Sequence, residues 1–263
     1  MLSDFLEHER PGATLVNSPK VAEILSSKHK TNALYSENGI PVPGLVTGKA
    51  ASPVFSNDTF GSKTQVYVRE SGEGLDESRY NTRYVNTARA YLGNQYHVCL
   101  RALCFGGRLV SIYIRARSIE DGSPSVHSAD TPRDAELLNH LFDQVVQPGS
   151  ERIKELCKAI GMALGPGFYA HDILPCAETG ELFVCESGFK FSDSSYKKHM
   201  EPIRRKLSYT DFPGRAEAQR MADALIDELR PLGSLPDPAQ VSVASILGGW
   251  INSSRFFNRN LRI

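Results

Sequence analysis

No C-x-x-C pair occurs anywhere in this 263-residue chain. Its five cysteines, Cys99, Cys104, Cys157, Cys176 and Cys185, are an odd number, and four sit within apolar runs. That pattern excludes a zinc ribbon and a disulfide framework, and implies buried free thiols in a reducing cytoplasm. Charge of neither sign is in excess: Lys+Arg and Asp+Glu each number 30. The global field therefore favours neither a polyanion nor a membrane, and any phosphate must be held by a local site. No apolar run approaches the roughly 20 residues of a membrane span. The N-terminal stretch, Met-Leu-Ser-Asp-Phe-Leu-Glu-His-Glu-Arg, is acidic and lacks an apolar core, unlike a signal peptide. A single tryptophan, no internal repeat and no low-complexity tract complete the absences.

Hydrophobic residues make up 41% and charged ones 23%, as in an ordinary globular protein of one large domain or two small lobes. Ser18 and Pro19 open a helix as cap and first helical residue, with Val21, Ile24 and Leu25 on its apolar face. Ser26-Ser27 re-caps a second helix that stops at Gly39, and Ile40-Pro-Val-Pro43 is then extended. Residues 44–64 show little periodicity. Gln65-Val-Tyr-Val-Arg69 reads as a short strand leading into the flexible turn Glu70-Ser-Gly-Glu-Gly74, and Tyr84-Val85 begins another extended piece.

Gly106-Gly107 marks a two-residue turn between strands 96–105 and 108–117. Period-2 alternation puts Val98, Leu100, Ala102 and Cys104, with Val110, Ile112, Ile114 and Ala116, on the core face. Arg101, Tyr113, Arg115 and Arg117 fall on the other face, where clustered guanidiniums call for an anion or acids between them. Thr131-Pro132 starts one helix, Ser150 caps another, and Ala216–Leu229 forms a third with Met221, Leu225, Ile226 and Leu229 aligned. Lys197-Lys198 and Arg204-Arg205-Lys206 read as a solvated helix face.

The stretch 167–188 carries the most chemistry. It reads as strand, turn and strand, with Asp172 on the first strand and Glu186 on the second. Two carboxylates brought together across a hairpin make an oxygen-rich site suited to Mg²⁺ shared with nucleotide phosphates. The bland alternative is a surface hairpin with solvated acids. His97 and His171 neighbour this site, and read as satisfied or exposed histidines rather than catalysts.

The order of these elements over roughly residues 15–190 resembles the ATP-grasp superfamily. Asn17-Ser-Pro-Lys, then Ser27-Lys28, then Gly39-Ile-Pro-Val-Pro43 look like the start of that family's nucleotide-binding region. The resemblance implies an α+β, ATP-grasp-like fold, two small sheets with flanking helices clasping a nucleotide cleft. It implies ATP and Mg²⁺ as cofactors, with Lys28 and Arg69 on phosphates, Asn86 and Thr87 near the adenine edge, and Asp172 and Glu186 on the metal. Lys30 competes with Lys28 for its role. Arg101 and Arg115 would guide the acyl phosphate or the substrate carboxylate. The implied reaction joins a carboxylate to an amine or thiol through an acyl phosphate. Its partners would be small-molecule carboxylates and amines, with a homodimer or a heteromeric partner left open, and no nucleic acid or membrane.

Departures from the pattern accompany the likeness. Gly188 stands where the family carries a ligand asparagine, Arg69 replaces a lysine, and residues 70–83 are too few for the usual helix-containing insert. An N-terminal substrate lobe is not apparent before the nucleotide region. The expected division is 1–95 for the first part of the nucleotide region, 96–195 for the central sheet and site, and 196–263 for a helical extension. A non-catalytic nucleotide-binding or structural partner of a fuller enzyme is the alternative function. A third reading is an unrelated α+β domain whose arginine-rich sheet binds an anion.

Overall fold

The computed structural model describes residues 16–58, 67–123, 126, 132–189, 200–209 and 215–229. The acidic N-terminal stretch, Gln65-Val66, Lys197-Lys198 and the tryptophan-bearing segment 241–263 lie outside the described residues. Helix α1 (Pro19–Leu25) begins where the Ser18 hydroxyl accepts from the Val21 amide, with Pro19 needing no donor at the first position. Helix α2 (Lys28–Glu37) begins the same way on Ser27 and ends before Gly39, whose φ of 67° suits a residue without Cβ.

Two antiparallel sheets follow. The smaller contains β1 (Val54–Asn57), β2 (Tyr67–Arg69) and β3 (Tyr80–Arg83) in the order β2-β1-β3. The larger contains β4 (Ala88–Tyr91), β5 (Asn94–Phe105), β6 (Arg108–Ser118), β7 (Phe168–Pro175) and β8 (Leu182–Gly188). β6 pairs along one edge of β5; β4 and then β7 share the other edge, and β8 pairs with β7. The α+β, two-sheet expectation therefore holds. The strands β1 and β3 were not anticipated: four residues each are too few to display a period, and β1 sits in a Ser- and Pro-rich stretch; the extended piece expected from Tyr84-Val85 becomes a strand at Ala88, in β4.

Between the sheets' strands run α3 (Ala135–Leu141), a π-helical turn (Phe142–Val146) and α4 (Gln147–Leu164). The cap is Asp134, accepting from Glu136 and Leu137, so the helix starts after Pro132; Thr131 lies outside the described residues. Nor does Ser150 start a new helix. Pro148 cannot donate to the preceding turn and its ring crowds the carbonyl four residues back. The π turn, in which the Gln147 amide reaches Phe142 O, widens the rod just before Pro148 and lets it continue. Helix α5 spans Arg215–Leu229, close to expectation.

One face of the large sheet carries Val98, Leu100, Ala102, Cys104, Ile114 and Ala116, all buried against Leu138, Ile153, Cys157 and Ile160 of the helices. Each Val, Leu or Ile side chain among them contributes roughly 1.5–3 kcal/mol on burial. Helix α4 comes so close to the β5–β6 turn that a Cβ on Gly161 would lie 2.1 Å from the Gly107 amide nitrogen. Backbone thus meets backbone there, which fixes the turn against the helix and leaves the opposite sheet face to form the site.

Candidate functional site

The site is built on the sheet face opposite the helices. Register pairs Cys99 with Arg115, His97 with Arg117, and Arg101 with both Tyr113 and Asp172. Asp172 in turn lies directly opposite Glu186 on β8. A bulge after Asp172 sets Cys185 off the ladder and re-aims this end of β8. Side chains in register share a face, so the two acids and the arginines stand together.

Arg101 Nη1 donates to both oxygens of Asp172, at 2.9 and 3.1 Å, and Arg115 Nη1 reaches Oδ1 at 3.4 Å. The Arg115 side chain is 5% exposed and that of Asp172 20%. Buried guanidiniums cost heavily without a counter-ion, and Asp172 is one that both of them reach. Lys28, at the first position of α2, is 9% exposed and places Nζ 3.8 Å from Glu186 Oε2. Glu186 itself is 52% exposed. Lys30 points elsewhere, to Glu23 at 2.6 Å on the surface. Among the described residues, Lys28, Arg101 and Arg115 thus stand with Asp172 and Glu186.

Facing this group across a cleft is the small sheet. The cleft has a volume of about 140 Å³ and is lined by Phe55, Asn57, Tyr80 and Thr82 from the small sheet, with Lys28, Val85, Thr87, His97, Cys99, Asp172, Cys185 and Glu186. Tyr80 is fixed there by Asn32, whose Nδ2 donates to Tyr80 Oη (2.9 Å) and to Pro43 O (3.1 Å). Burial raises the Tyr80 hydroxyl well above its ordinary range. Thr87 Oγ1 accepts from the Val98 amide at 3.2 Å, tying the segment between the sheets to β5.

Of the residues singled out from sequence, Lys28, Thr87, Asp172 and Glu186 line one cleft, with Arg101 and Arg115 clamped on Asp172. Asn86 does not line it: its Nδ2 donates to Glu178 and its Oδ1 caps the Ala88 amide. Arg69 does not either. It pairs in register with Val54, while the cleft-lining Phe55 pairs with Val68, so Arg69 lies on the other face of the small sheet. There it approaches Glu73 at 3.6 Å and the Tyr67 ring at 5.2 Å. Sequence reasoning did not find Phe55, Asn57, Tyr80 or Thr82; their only signal is alternation in strands of four residues. His97 was noted but not placed on the cleft wall.

Behind the acids lies a buried hydrogen-bond chain. Tyr35 Oη donates to Ser187 Oγ (2.7 Å), and Ser187 Oγ lies 2.8 Å from His171 Nδ1. His171 is fully buried, and its Nε2 has no hydrogen-bond partner among the described residues. Burial, with Arg101 nearby, pushes the His171 imidazole down to about 3. It stays neutral, and its rigid packing holds the two strands that carry Asp172 and Glu186.

A magnesium ion suits the donor chemistry here when phosphates supply most of its oxygens. Glu186 is accessible and adjacent to Asp172, but Asp172 is already engaged by two arginines. No cluster of three or more His, Cys, Asp or Glu is present among the described residues. One or two carboxylates plus phosphates and water is the usual magnesium arrangement.

No protein-family model and no curated protein sequence matches the chain. Solved structures do. The ATP-grasp ligase PsnB, complexed with a phosphomimetic variant of minimal precursor, Mg and ADP, gives a TM-score of 0.50 at 13% identity, covering 85% of this chain and 64% of that one. N5-carboxyaminoimidazole ribonucleotide synthetase from Thermotoga maritima gives 0.48 at 15% identity, covering 89% and 56%. A RimK domain ATP-grasp protein from Sphaerobacter thermophilus gives 0.44 at 15%, covering 85% and 77%. The chain thus spans less than two-thirds of the length of the first two. The likeness to PsnB shows that the fold is that of an ATP-grasp protein.

Two expectations follow from the geometry. Asp172→Asn removes the shared counter-ion of two buried guanidiniums and lowers unfolding stability by roughly 3 kcal/mol, whereas Glu186→Gln, half in solvent, changes it by less than about 1 kcal/mol. Urea denaturation measures both; equal losses would contradict the clamp. The second concerns His171. Its folded pKa, about 3, lies below the ordinary 6.5, so the unfolded chain binds a proton that the folded one refuses. Stability is therefore full above about pH 6.5 and falls on acidification, by about 1.4 kcal/mol per pH unit. Between pH 7 and 5 the native protein should lose about 2 kcal/mol more than His171→Gln; parallel curves would contradict the assignment.

Proposed function

From this ATP-grasp fold we propose that the cleft binds ATP with Mg²⁺, and that the chain activates a carboxylate for ligation to an amine. One observation carries the reading: Asp172 and Glu186 stand opposite each other on adjacent strands, with Lys28, Arg101 and Arg115 converging on them beneath the second sheet. An anion of high charge is what such a set of pre-positioned donors suits.

Lys28, largely withdrawn from solvent, would neutralise phosphate oxygens. Phe55, Tyr80 and Val85 supply an apolar wall for a planar base, and Thr87 stands at its edge. Glu186 would hold the metal ion on the phosphates, with Asp172 as its neighbour. When bound, Mg²⁺ would supply neutralisation of the charge that shifts during phosphoryl transfer. A substrate carboxylate oxygen attacks the γ-phosphorus, the bond to the ADP oxygen breaks, and an acyl phosphate forms. Arg101 and Arg115, held rigid by Asp172, would orient that acyl phosphate. An amine then forms the new C–N bond as inorganic phosphate departs. Most of the acceleration would come from positioning.

A second reading, a non-catalytic nucleotide-binding partner of a fuller enzyme, is favoured by a specific pair of observations. Asp172 is committed to two arginines, and Gly188, opposite Ala170, offers no side chain where a further ligand could stand. Calorimetric titration with ADP should give binding that strengthens at least tenfold with Mg²⁺ and weakens at least tenfold in Lys28→Ala or Glu186→Gln. No binding at millimolar nucleotide would end both readings. Binding without ADP release, across a pooled panel of small acids and amines, would select the second.

A further inference from the structure

A second hollow adjoins the cleft. Its volume is about 600 Å³, and its lining includes Arg69, Glu70, Tyr67, Tyr84 and Ile119. Among the described residues, one lines both spaces: His97. A two-substrate reaction needs a place where the second reactant can wait and a junction where it meets the first. The hollow offers the place and His97 marks the junction.

The lining has a definite chemistry. Arg69 is about 39% exposed, and its approach to Glu73, at 3.6 Å, is too long for a good hydrogen bond. A guanidinium presented this way can take a carboxylate by its two-pronged edge. Glu70 follows it in the chain and can receive an ammonium group, while Tyr67 and Tyr84 supply aromatic surface. Together they match a small zwitterion, an amine that carries its own carboxylate.

His97 lies on β5 between Ala88 and Arg117, with its residue 9% exposed. No hydrogen bond occupies its ring among the described residues, and burial depresses its pKa. It is thus a neutral imidazole with an open nitrogen at the meeting point of the two spaces. A general base needs that state and that reach.

Resting on the nucleotide reading above, we propose that the hollow binds an amino-acid-like acceptor through Arg69, and that His97 accepts the proton of its attacking amine. The bound ammonium first gives one proton to water, and the amine nitrogen so freed forms its bond to the acyl carbon; the C–O bond to phosphate breaks with its electron pair leaving on phosphate, and a second nitrogen proton passes to the His97 ring, leaving the amide N–H. The imidazolium then returns it to water.

The test uses the full chain with Mg·ADP present and the twenty L-amino acids, each at millimolar concentration, followed by saturation-transfer NMR and by the His97 ring signals in a ¹³C-histidine sample. A subset of amino acids should bind and shift the His97 signals, and Arg69→Gln should weaken them at least tenfold. With ATP and a pool of carboxylates, His97→Gln should still bind that amino acid but release phosphate about 100-fold more slowly. No binding from the panel, binding indifferent to Arg69, or unchanged release in His97→Gln would each overturn the proposal. If amino acids bind through Arg69 while nucleotide does not bind at all, the hollow is supported as a zwitterion site and the nucleotide reading fails instead.

Discussion

The clamp of Arg101 and Arg115 on Asp172 is the constraint on which the site depends. Two guanidiniums do not sit nearly buried on a sheet face without an anion, and Asp172 is a carboxylate that both of them reach. Glu186 stands beside Asp172 and is turned toward Lys28. In the proposed reading a nucleotide's phosphates occupy this face, and the second sheet supplies the roof that would exclude water from it. The buried Tyr35–Ser187–His171 chain contributes rigidity from below, because it joins α2, β7 and β8 through side-chain hydrogen bonds.

Much of this was legible along the chain. The Gly106-Gly107 turn sits between two alternating runs, so its hairpin and the face of each side chain could be read directly. The caps at Ser18 and Ser27 were equally plain, because Pro19 and the following helical residues leave a hydroxyl only one use. Placing Asp172 opposite Glu186 needed just one hairpin of moderate length. The ATP-grasp resemblance in the order of elements agrees with the fold found.

What was not legible depended on contacts distant in sequence. Arg101 meets Asp172 because β5 pairs with β7 across 71 residues, a choice that no local pattern encodes. The acids and arginines therefore read as two separate groups, one for metal and one for anion, when in space they form one. Arg69 could not be assigned a face because its strand has three residues and its partner β1 was hidden in an irregular stretch. The π turn before Pro148 was likewise invisible: sequence rules end a helix at proline, and only the long apolar stripe of α4 packed on the sheet makes continuing it worthwhile.

Crystallography of the chain with a non-hydrolysable ATP analogue and Mn²⁺ in place of Mg²⁺ addresses the central claim most directly, since manganese scatters anomalously. The account requires an anomalous peak within bonding distance of a Glu186 carboxylate oxygen, with phosphates reaching Lys28 and the Arg101–Asp172–Arg115 clamp undisturbed behind it. A nucleotide seated elsewhere, or phosphates held without Lys28 and Glu186, would contradict it.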